Sequence, residues 1–420
     1  MSRPIHHTFA PLADASYTWA ALSMILGGQH SSDISLKNAL EDKFGGTASL
    51  FASGREALLA LLRAPQFAKG DEVIVQGYTC VVVPNAIRAA GLVPVYCDIE
   101  KSTLSLDPEA VEKAVTSKTK AVICQHTFGI PAPMEALREL CDRHHLLLIE
   151  DCAHALPDNA GPADIGRFGD AFLLSFGRDK AISGIAGGAM VVQGKMNSDY
   201  QLPPLADALR YEEHRAIPLS RYTTFRLLLY PTLYALARPL YGSGIGKAFL
   251  ALCRKLHLLV PIVTKEEKYG HQPSTLHKMP QACAALALRQ WERLQKINDH
   301  RRKLTRLYLH ACAEYGWPVL HGIRTDLPLQ KFPLFVHNAD QIRKKLKKQN
   351  IHLADGWTGC VVCPADVRIE EVGYRKGSDP EAEKVCEEIL TLPTHPGMTD
   401  ADAQHLIAAL SRFLPAASQS

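Results

Sequence analysis

Short apolar runs and helix-like stretches alternate along the chain from about Asp71 onward. The runs predict strands at Glu72–Val75, Val93–Cys97, Lys120–Cys124, Leu146–Ile149, Ala171–Ser175 and Ala189–Val192. Between them the pattern predicts helices over Pro84–Ala90 and Met134–His144, and one that begins at Asp107 as N-cap with Pro108 in its first turn. This alternation predicts an α/β protein whose mostly parallel sheet has helices on both faces.

The second half of the chain has a different pattern. An apolar insertion at about 205–270 interrupts the alternation, and within it Phe225–Val263 predicts two or three short amphipathic helices. A cationic helical face on a membrane surface is one interpretation. Packing against a partner subunit or over the active site is the other, which we favour. Further along, Pro280–Leu309 predicts one long helix.

These patterns predict three parts of the chain. Residues 1–44 form an N-terminal arm, 45–300 a large domain that contains the insertion, and 301–420 a smaller C-terminal α/β domain. In the last part we expect a strand at Phe332–Val336, a helix at Asp340–Gln349, a strand at Ile351–Leu353 and a final helix that begins at Thr399.

Composition places the chain among globular proteins. Its 420 residues are 47% hydrophobic and 21% charged, and the formal net charge of +4 is too balanced to indicate a nucleic-acid binder. The eleven cysteines include one CxxC pair, Cys360 and Cys363, whereas a zinc site needs four ligands. We therefore expect reduced, buried thiols, no metal site and a cytoplasmic protein. Met1–Ala15 does not resemble a signal peptide, and no apolar run is long enough to span a membrane.

The candidate chemistry lies at strand ends, where α/β sheets bind their ligands. Lys180 follows Ser175 by five residues in a turn, and Asp151 follows the strand at Leu146–Ile149. A lysine for a Schiff base and a carboxylate for the ring nitrogen are what pyridoxal phosphate (PLP) requires. Alone, each is more often a surface lysine or a turn aspartate. The two are 29 residues apart with one strand between them, which predicts neighbouring strand ends on one crevice.

A third element is an anion site. Ser53 and Gly54 precede the apolar helix Ala57–Leu62, and backbone N–H groups at a helix N-terminus bind phosphate. The hydroxyl of Ser175 is a further donor. The occurrence of all three elements in this order predicts a PLP enzyme.

On these residues the chain resembles the DegT/DnrJ/EryC1/StrS family of PLP-dependent sugar aminotransferases, over nearly its whole length from about Gly45. The resemblance implies PLP-dependent transferase fold type I, which is aspartate-aminotransferase-like. Its motifs include Ser53–Ala57, Gly70–Val73, Gly91–Val95, His126–Gly129, Ile149–Ala155, Ser175 with Lys180, Gly187–Gly188 and Leu392–Gly397.

The resemblance also implies roles for these residues. Lys180 would hold PLP as a Schiff base and then shuttle a proton, Asp151 would pair with the ring nitrogen, and His154 would lie near the ring where the family has Gln or His. Gly54, Arg55 and Ser175 would hold the phosphate. The family further implies a homodimer that moves an amino group from an amino acid, with glutamate expected, to a keto-sugar, expected to be nucleotide-linked. Polysaccharide, glycolipid or secondary-metabolite biosynthesis would be its setting.

Four departures from the family pattern are visible. Cys80 stands where the family has the aromatic residue that stacks on PLP, with Tyr78 as a candidate substitute, and Arg55 replaces a threonine. The family's Gly-Glu-Gly-Gly segment is Ile185–Gly188 here, without its acidic residue. Its Asn-x-Arg-Met motif, whose Asn reaches the neighbouring subunit's phosphate, is Leu276–Met279 here, without its Asn.

Three alternatives remain at this point. A sugar dehydratase of the same family would have histidine in place of Lys180. A non-catalytic regulatory protein would keep PLP structurally, against which the intact Lys180 and Asp151 argue. A membrane-surface protein would act through 225–263.

Overall fold

A computed structural model describes residues 4–6, 14–27, 33–65, 67–158, 165–193, 202–354 and 356–414. Parts of the N-terminal arm predicted over 1–44, and most of Met1–Ala15, lie outside these residues.

A nine-stranded sheet forms the centre of the molecule. From one edge to the other its strands are Ile217–Pro218, His277–Lys278, Gly46–Phe51, Gly188–Gln193, Ala171–Ser175, Leu147–Asp151, Thr119–Gln125, Glu72–Gln76 and Val93–Cys97. The last five are mutually parallel, and Gly188–Gln193 is antiparallel to both of its neighbours. The predicted α/β class and mostly parallel sheet are confirmed. Six of these strands were predicted within a residue or two, because each is a short apolar run; all but the edge strand Val93–Cys97 are largely buried.

Helices cover the sheet, and their bounds follow the capping residues. Asp107 accepts a hydrogen bond from Glu109 N, as expected of an N-cap. The α-helices are Ala15–Ile25, Asp33–Phe44, Gly54–Arg63, Val82–Ala89, Pro108–Ala114, Met134–His144, Leu202–Arg215, Arg221–Ala237, Ile245–Lys255, Lys265–Lys268, Gln281–Trp291, Leu294–Tyr315, Ala339–Lys348, Pro380–Glu388 and Asp400–Ser411. Short 3₁₀ helices lie at Thr127–Gly129 and Ile369–Val372.

The long helical pattern predicted over Pro280–Leu309 is helical with one interruption. Two helices, Gln281–Trp291 and Leu294–Tyr315, meet at Glu292 and Arg293, and the backbone leaves helical geometry at Arg293 (φ −102°, ψ 5°). The second helix continues across residue 300, the boundary that the sequence predicts between the two domains. The apolar insertion does contain two of the predicted short helices, Arg221–Ala237 and Ile245–Lys255, which pack against each other. The second is amphipathic as predicted, whereas the first has apolar residues on all sides.

The C-terminal part packs as an α/β layer of its own. Strands Lys331–Phe335 and Ile389–Pro393 pair antiparallel, and helices Ala339–Lys348 and Asp400–Ser411 lie nearby. Two short pairings join this part to the rest of the chain. Ile351–His352 pairs with Ile5–His6, and Val362–Cys363 pairs with Thr79–Cys80. The second pairing brings the C-terminal part to the carboxyl edge of the central sheet.

All eleven cysteines are free thiols, and every one except the half-buried Cys80 is buried. Cys360 and Cys363 contact each other, with 3.3 Å between their sulfur atoms. Among the described residues, no helix combines the length and the apolar character that crossing a membrane requires.

Candidate active site

One cavity of about 810 Å³ opens at the carboxyl ends of the parallel strands. This is the edge at which α/β sheets bind ligands. Its wall contains seven of the eight residues that the sequence singles out: Gly54, Arg55, Cys80, Asp151, His154, Ser175 and Lys180. The eighth, Tyr78, is fully buried outside this wall, where its hydroxyl donates to Trp357 O at 2.6 Å.

Lys180 lies in a turn that is tied to the sheet. After strand Ala171–Ser175, Phe176 N donates to Gly187 O and Gly184 N donates to Phe176 O, both at 2.9 Å. Within the turn, Lys180 N donates to Gly177 O at 3.3 Å. These hydrogen bonds hold the turn against the backbone at Gly187. The backbone that carries the Lys180 side chain is therefore fixed.

Asp151 ends the strand beside the one that leads to Lys180. The two strands are parallel, with Asp151 opposite Leu173. Its carboxylate is only 2% exposed and accepts a hydrogen bond from Ala153 N at 2.9 Å. Burial raises the pKa of Asp151, against the opposing effects of the Ala153 N–H group and the charge of Lys180. In the described part of the chain this carboxylate has no ion pair, so a cation that entered the cavity would stabilise its charged form.

An anion site lies on the same wall. Ser53 caps the helix Gly54–Arg63, and its hydroxyl accepts a hydrogen bond from Glu56 N. The first N–H groups of a helix have no partner within the helix and attract anions. The backbone around them is tightly packed: a β-carbon on Gly188 would lie 2.3 Å from Gly54 N, and one on Gly54 would lie 3.3 Å from the Ser175 hydroxyl oxygen. Only glycine at position 188 leaves this N-terminus accessible.

His154 is neutral in this environment. Burial, followed by the positive charges of Lys180 and Lys331, holds its pKa well below the usual value. Its Nδ1 accepts a hydrogen bond from Phe128 N at 3.3 Å, which leaves the proton on Nε2. The ring stacks on Phe128 at 5.9 Å and meets Trp357 edge-on at 5.0 Å. The imidazole is therefore a fixed hydrogen-bond donor without charge.

Arg55 already has a partner at this site. Its guanidinium forms an ion pair with Glu267 and donates to Ile262 O at 2.7 Å. Glu267 in turn closes a capping box with Thr264 at the start of helix Lys265–Lys268. Cys80 also reaches the cavity, and burial raises the pKa of its thiol.

Two residues of the cavity wall, Trp357 and Asp179, and the neighbouring Lys331 behind it were not predicted from the sequence. Trp357 lines the cavity from an irregular segment of the C-terminal part. Asp179 precedes Lys180, and one of its carboxylate oxygens is buried without a hydrogen bond in the described structure. Lys331 is 4% exposed and lies over the rings of Phe128 and Trp357. Neither Trp357 nor Lys331 belongs to a local sequence motif. The fold places both near the cavity by packing distant parts of the chain together.

A buried cluster beneath the sheet edge, His126, Glu150 and Cys152, has the side chains of a metal site. The Nδ1 of His126 accepts from Ala132 N, so its Nε2 carries the proton and donates to Glu150 at 2.8 Å. Glu150 also accepts hydrogen bonds from the backbone N–H groups of Phe168 and Gly169. Both nitrogens of the imidazole already have hydrogen-bond partners, so neither is available to bind a metal ion. The hydrogen bonds of Glu150 instead stabilise the loop that follows Asp151.

A search against family models matches the DegT/DnrJ/EryC1/StrS aminotransferase family over residues 36–200 and 251–411. The chain belongs to this family. It is accordingly a PLP-dependent aminotransferase with fold type I, and the predicted family, fold, enzyme class and cofactor are confirmed. Lys180 argues against the dehydratase alternative, whose members would have histidine there.

Individual relatives and similar solved structures have low sequence identity to this chain, as three examples show. The pleiotropic regulatory protein of Geobacillus stearothermophilus is 26% identical over 86% of this chain and 83% of its own length. A UDP-N-acetyl-3-dehydro-alpha-D-glucosamine 3-aminotransferase of Acidithiobacillus ferrooxidans is 34% identical, over 44% of this chain and only 51% of its own length. Among solved structures, NtdA of Bacillus subtilis with bound cofactor PMP superposes with a TM-score of 0.73 at 20% identity, over 99% of this chain and 86% of that one.

The residues present fit PLP. A buried carboxylate without a counter-ion suits a protonated ring nitrogen, the Gly54 helix N-terminus suits a phosphate, and Lys180 lies on the same wall. All three features belong to one cavity.

Proposed function

We propose that the protein transfers an amino group from glutamate to the keto group of a nucleotide-linked sugar. The observation that carries this proposal is the common cavity of Lys180, Asp151 and the N-terminus of the Gly54 helix. Bound PLP supplies the electron sink that acidifies the substrate carbon.

The residues of this chain then have separate tasks. Asp151 keeps the ring nitrogen protonated, and Lys180 binds the cofactor covalently and, once released, moves a proton at the substrate carbon. His154 donates a hydrogen bond from Nε2 beside the ring. Gly54, Arg55 and Ser175 bind the phosphate, and Cys80 lies at the ring in place of the family's aromatic residue.

The cavity also favours an acceptor with a diphosphate group. Its volume of about 810 Å³ is at the upper end of the usual range for ligand sites of roughly 300–1,000 Å³, which leaves room for a substrate beside a cofactor. Arg178 also lines the wall and supplies a guanidinium, a group that can pair with a phosphate. The Acidithiobacillus relative, by its name, acts on a UDP-linked sugar, which supports the same class of acceptor.

The two half-reactions are tested separately by absorbance. The PLP-loaded protein is expected to be yellow and to lose this colour with glutamate but not with aspartate. After removal of glutamate, a nucleotide-linked keto-sugar is expected to restore the colour. Lys180→Ala should never bleach, whereas Lys347→Ala, an exposed lysine far from the cavity, should bleach like the wild type. If an amino acid other than glutamate removed the colour and glutamate did not, glutamate would be excluded as the amino donor. If no nucleotide-linked keto-sugar restored the colour, this class of acceptor would be excluded.

We also propose a homodimer, as the family resemblance implies. The segment that corresponds to the family's subunit-bridging motif, Leu276–Met279, borders the cavity through His277. Light scattering of the PLP-loaded protein should give twice the mass of the chain. A monomer with full transaminase activity would contradict this.

A further inference from the structure

One stretch of the chain is strongly one-sided in charge. Between Glu213 and Glu266 there is no acidic residue, but there are eight lysines and arginines. About one residue in ten of the whole chain is acidic, so about five would be expected in a stretch of this length. The helices Arg221–Ala237 and Ile245–Lys255 lie in this stretch, and we call this pair the basic hairpin.

The basic hairpin buries one side and exposes apolar residues on the other. Leu227, Leu228, Leu233 and Leu250 are in the core. On the outer side, Leu236 is 60% exposed, Ile245 59% and Leu252 53%. Tyr222, Phe225, Leu229 and Leu236 follow helical spacing along one face of the first helix, and Ile245 and Leu252 are seven residues apart on the second.

This concentration is unusual within the molecule. Of the fourteen large apolar residues that are exposed in the described structure, eight lie on the basic hairpin or its flanks: Tyr222, Phe225, Leu236, Leu240, Ile245, Leu252, Leu256 and Ile262. Scattered apolar residues on a surface need no explanation, but a continuous group marks an interaction site. Four exposed basic residues accompany it: Arg221, Lys247, Arg254 and Lys255.

The family's sequence model does not match most of this face. The segments that match the family model are 36–200 and 251–411, so the first helix and half of the second fall between them. The same region also forms part of the cavity wall, through Thr223, Leu227 and Ile262. Ile262, which is 49% exposed, therefore belongs both to the exposed apolar group and to the cavity wall.

The positive charge of this face distinguishes between two kinds of partner, a second copy of the chain and an anionic lipid surface. In a symmetric contact between two copies, each copy presents the same patch, so four exposed cations would face four others without an acidic residue between them. An anionic lipid surface has the opposite charge and an apolar layer beneath it, which matches a helical face of apolar residues flanked by Lys and Arg.

We propose that the exposed face of the basic hairpin binds the surface of a bilayer that contains anionic lipid. The hairpin lies in the plane of the headgroups with Leu236, Ile245 and Leu252 inserted, and the cavity opens beside the membrane. This inference goes beyond the proposed reaction and does not depend on it, because binding is measured without turnover.

The test is co-sedimentation of the full-length, PLP-loaded protein with vesicles. Vesicles of phosphatidylcholine alone are compared with vesicles that contain about one third phosphatidylserine, at low and high salt. We expect binding only to the anionic vesicles, reversed by salt. Arg254→Gln with Lys255→Gln should weaken binding at least tenfold, since each basic residue near such a surface contributes about fivefold. Leu236→Ser with Leu252→Ser should weaken it by a similar factor.

Two control variants match these changes. Lys113→Gln with Lys118→Gln removes the same charge from exposed positions on helix Pro108–Ala114 and in the loop after it, and Ile34→Ser removes an apolar residue that is 63% exposed elsewhere. Both should bind vesicles like the wild type, and all variants should keep their PLP absorbance. Wild-type protein that stays in the supernatant, or hairpin variants that bind like the controls, would overturn the proposal. So would a smaller oligomer for the Leu236→Ser and Leu252→Ser variant in light scattering, because the face would then be a contact between copies.

Discussion

The guanidinium of Arg55 forms an ion pair with the carboxylate of Glu267 at the wall of the cavity. The side chain of Glu267 is 4% exposed and that of Arg55 19%. In the proposed site Arg55 would also bind the cofactor's phosphate, so the same guanidinium would contact both the buried carboxylate and the phosphate.

Arg55→Met should therefore lower both stability and PLP affinity. Removing one partner of a buried pair leaves an uncompensated charge, which should reduce the free energy of unfolding by about 2 kcal/mol in urea titrations. Loss of one charged hydrogen bond to the phosphate should weaken PLP binding about tenfold, measured by absorbance titration.

Glu267→Gln serves as the matched variant. It frees Arg55 from its carboxylate, so PLP should bind at least as tightly as in the wild type even though the capping box is weakened. If Arg55→Met binds PLP like the wild type, Arg55 has a purely structural role.

Gly188→Ala should abolish PLP binding. Its β-carbon would lie 2.3 Å from Gly54 N and 2.4 Å from Gly54 Cα, both backbone atoms that cannot move without displacing the helix. Gly356→Ala is the control, because Gly356 also lines the cavity but a β-carbon there would meet nothing within 4 Å. Absorbance after incubation with PLP and circular dichroism should show a folded but colourless Gly188 variant and a normal Gly356 variant. A yellow Gly188→Ala protein would contradict the tight packing at the helix N-terminus.

The sequence predicts those parts of the site that depend on local pattern. Lys180, Asp151 and Ser175 follow apolar runs that become buried strands, and parallel strand order then brings their ends together. Trp357 and Lys331 have no such signal, since their positions result from packing between distant parts of the chain. Tyr78 shows the same limit: its place in the sequence suggests a residue that stacks on PLP, but its ring packs in the core edge-on against Phe128 and Trp357.

The buried Lys331 should make stability depend on pH. Burial, opposed by Asp179 and reinforced by Lys180, lowers its pKa from 10.5 to about 8, with Cys363 and Cys80 as the other titratable neighbours. Between about pH 8 and 10.5 the unfolded chain holds this proton and the folded protein does not, so the free energy of unfolding gains up to about 3 kcal/mol from this group as pH rises.

Lys331→Met removes this contribution. Urea titrations of the PLP-free protein at pH 7 and pH 10 should show that the difference between wild type and variant shifts in favour of the wild type at the higher pH. A difference that is constant across this range would mean that Lys331 titrates normally in the folded protein.

His154 should act as a neutral donor, which two substitutions can distinguish from an acid–base role. Glutamine has an N–H group for the cavity and an oxygen that accepts from Phe128 N, so His154→Gln should keep transaminase activity within about tenfold of the wild type. Leucine has neither, and His154→Leu should lose about 100-fold in kcat, as expected when one positioned donor is removed. Because burial and the charges of Lys180 and Lys331 keep the imidazole unprotonated, the acidic side of the pH profile should be the same for wild type and His154→Gln. Equal inactivation by both substitutions, or a pH profile that changes in the glutamine variant, would instead identify His154 as a group that exchanges a proton during the reaction.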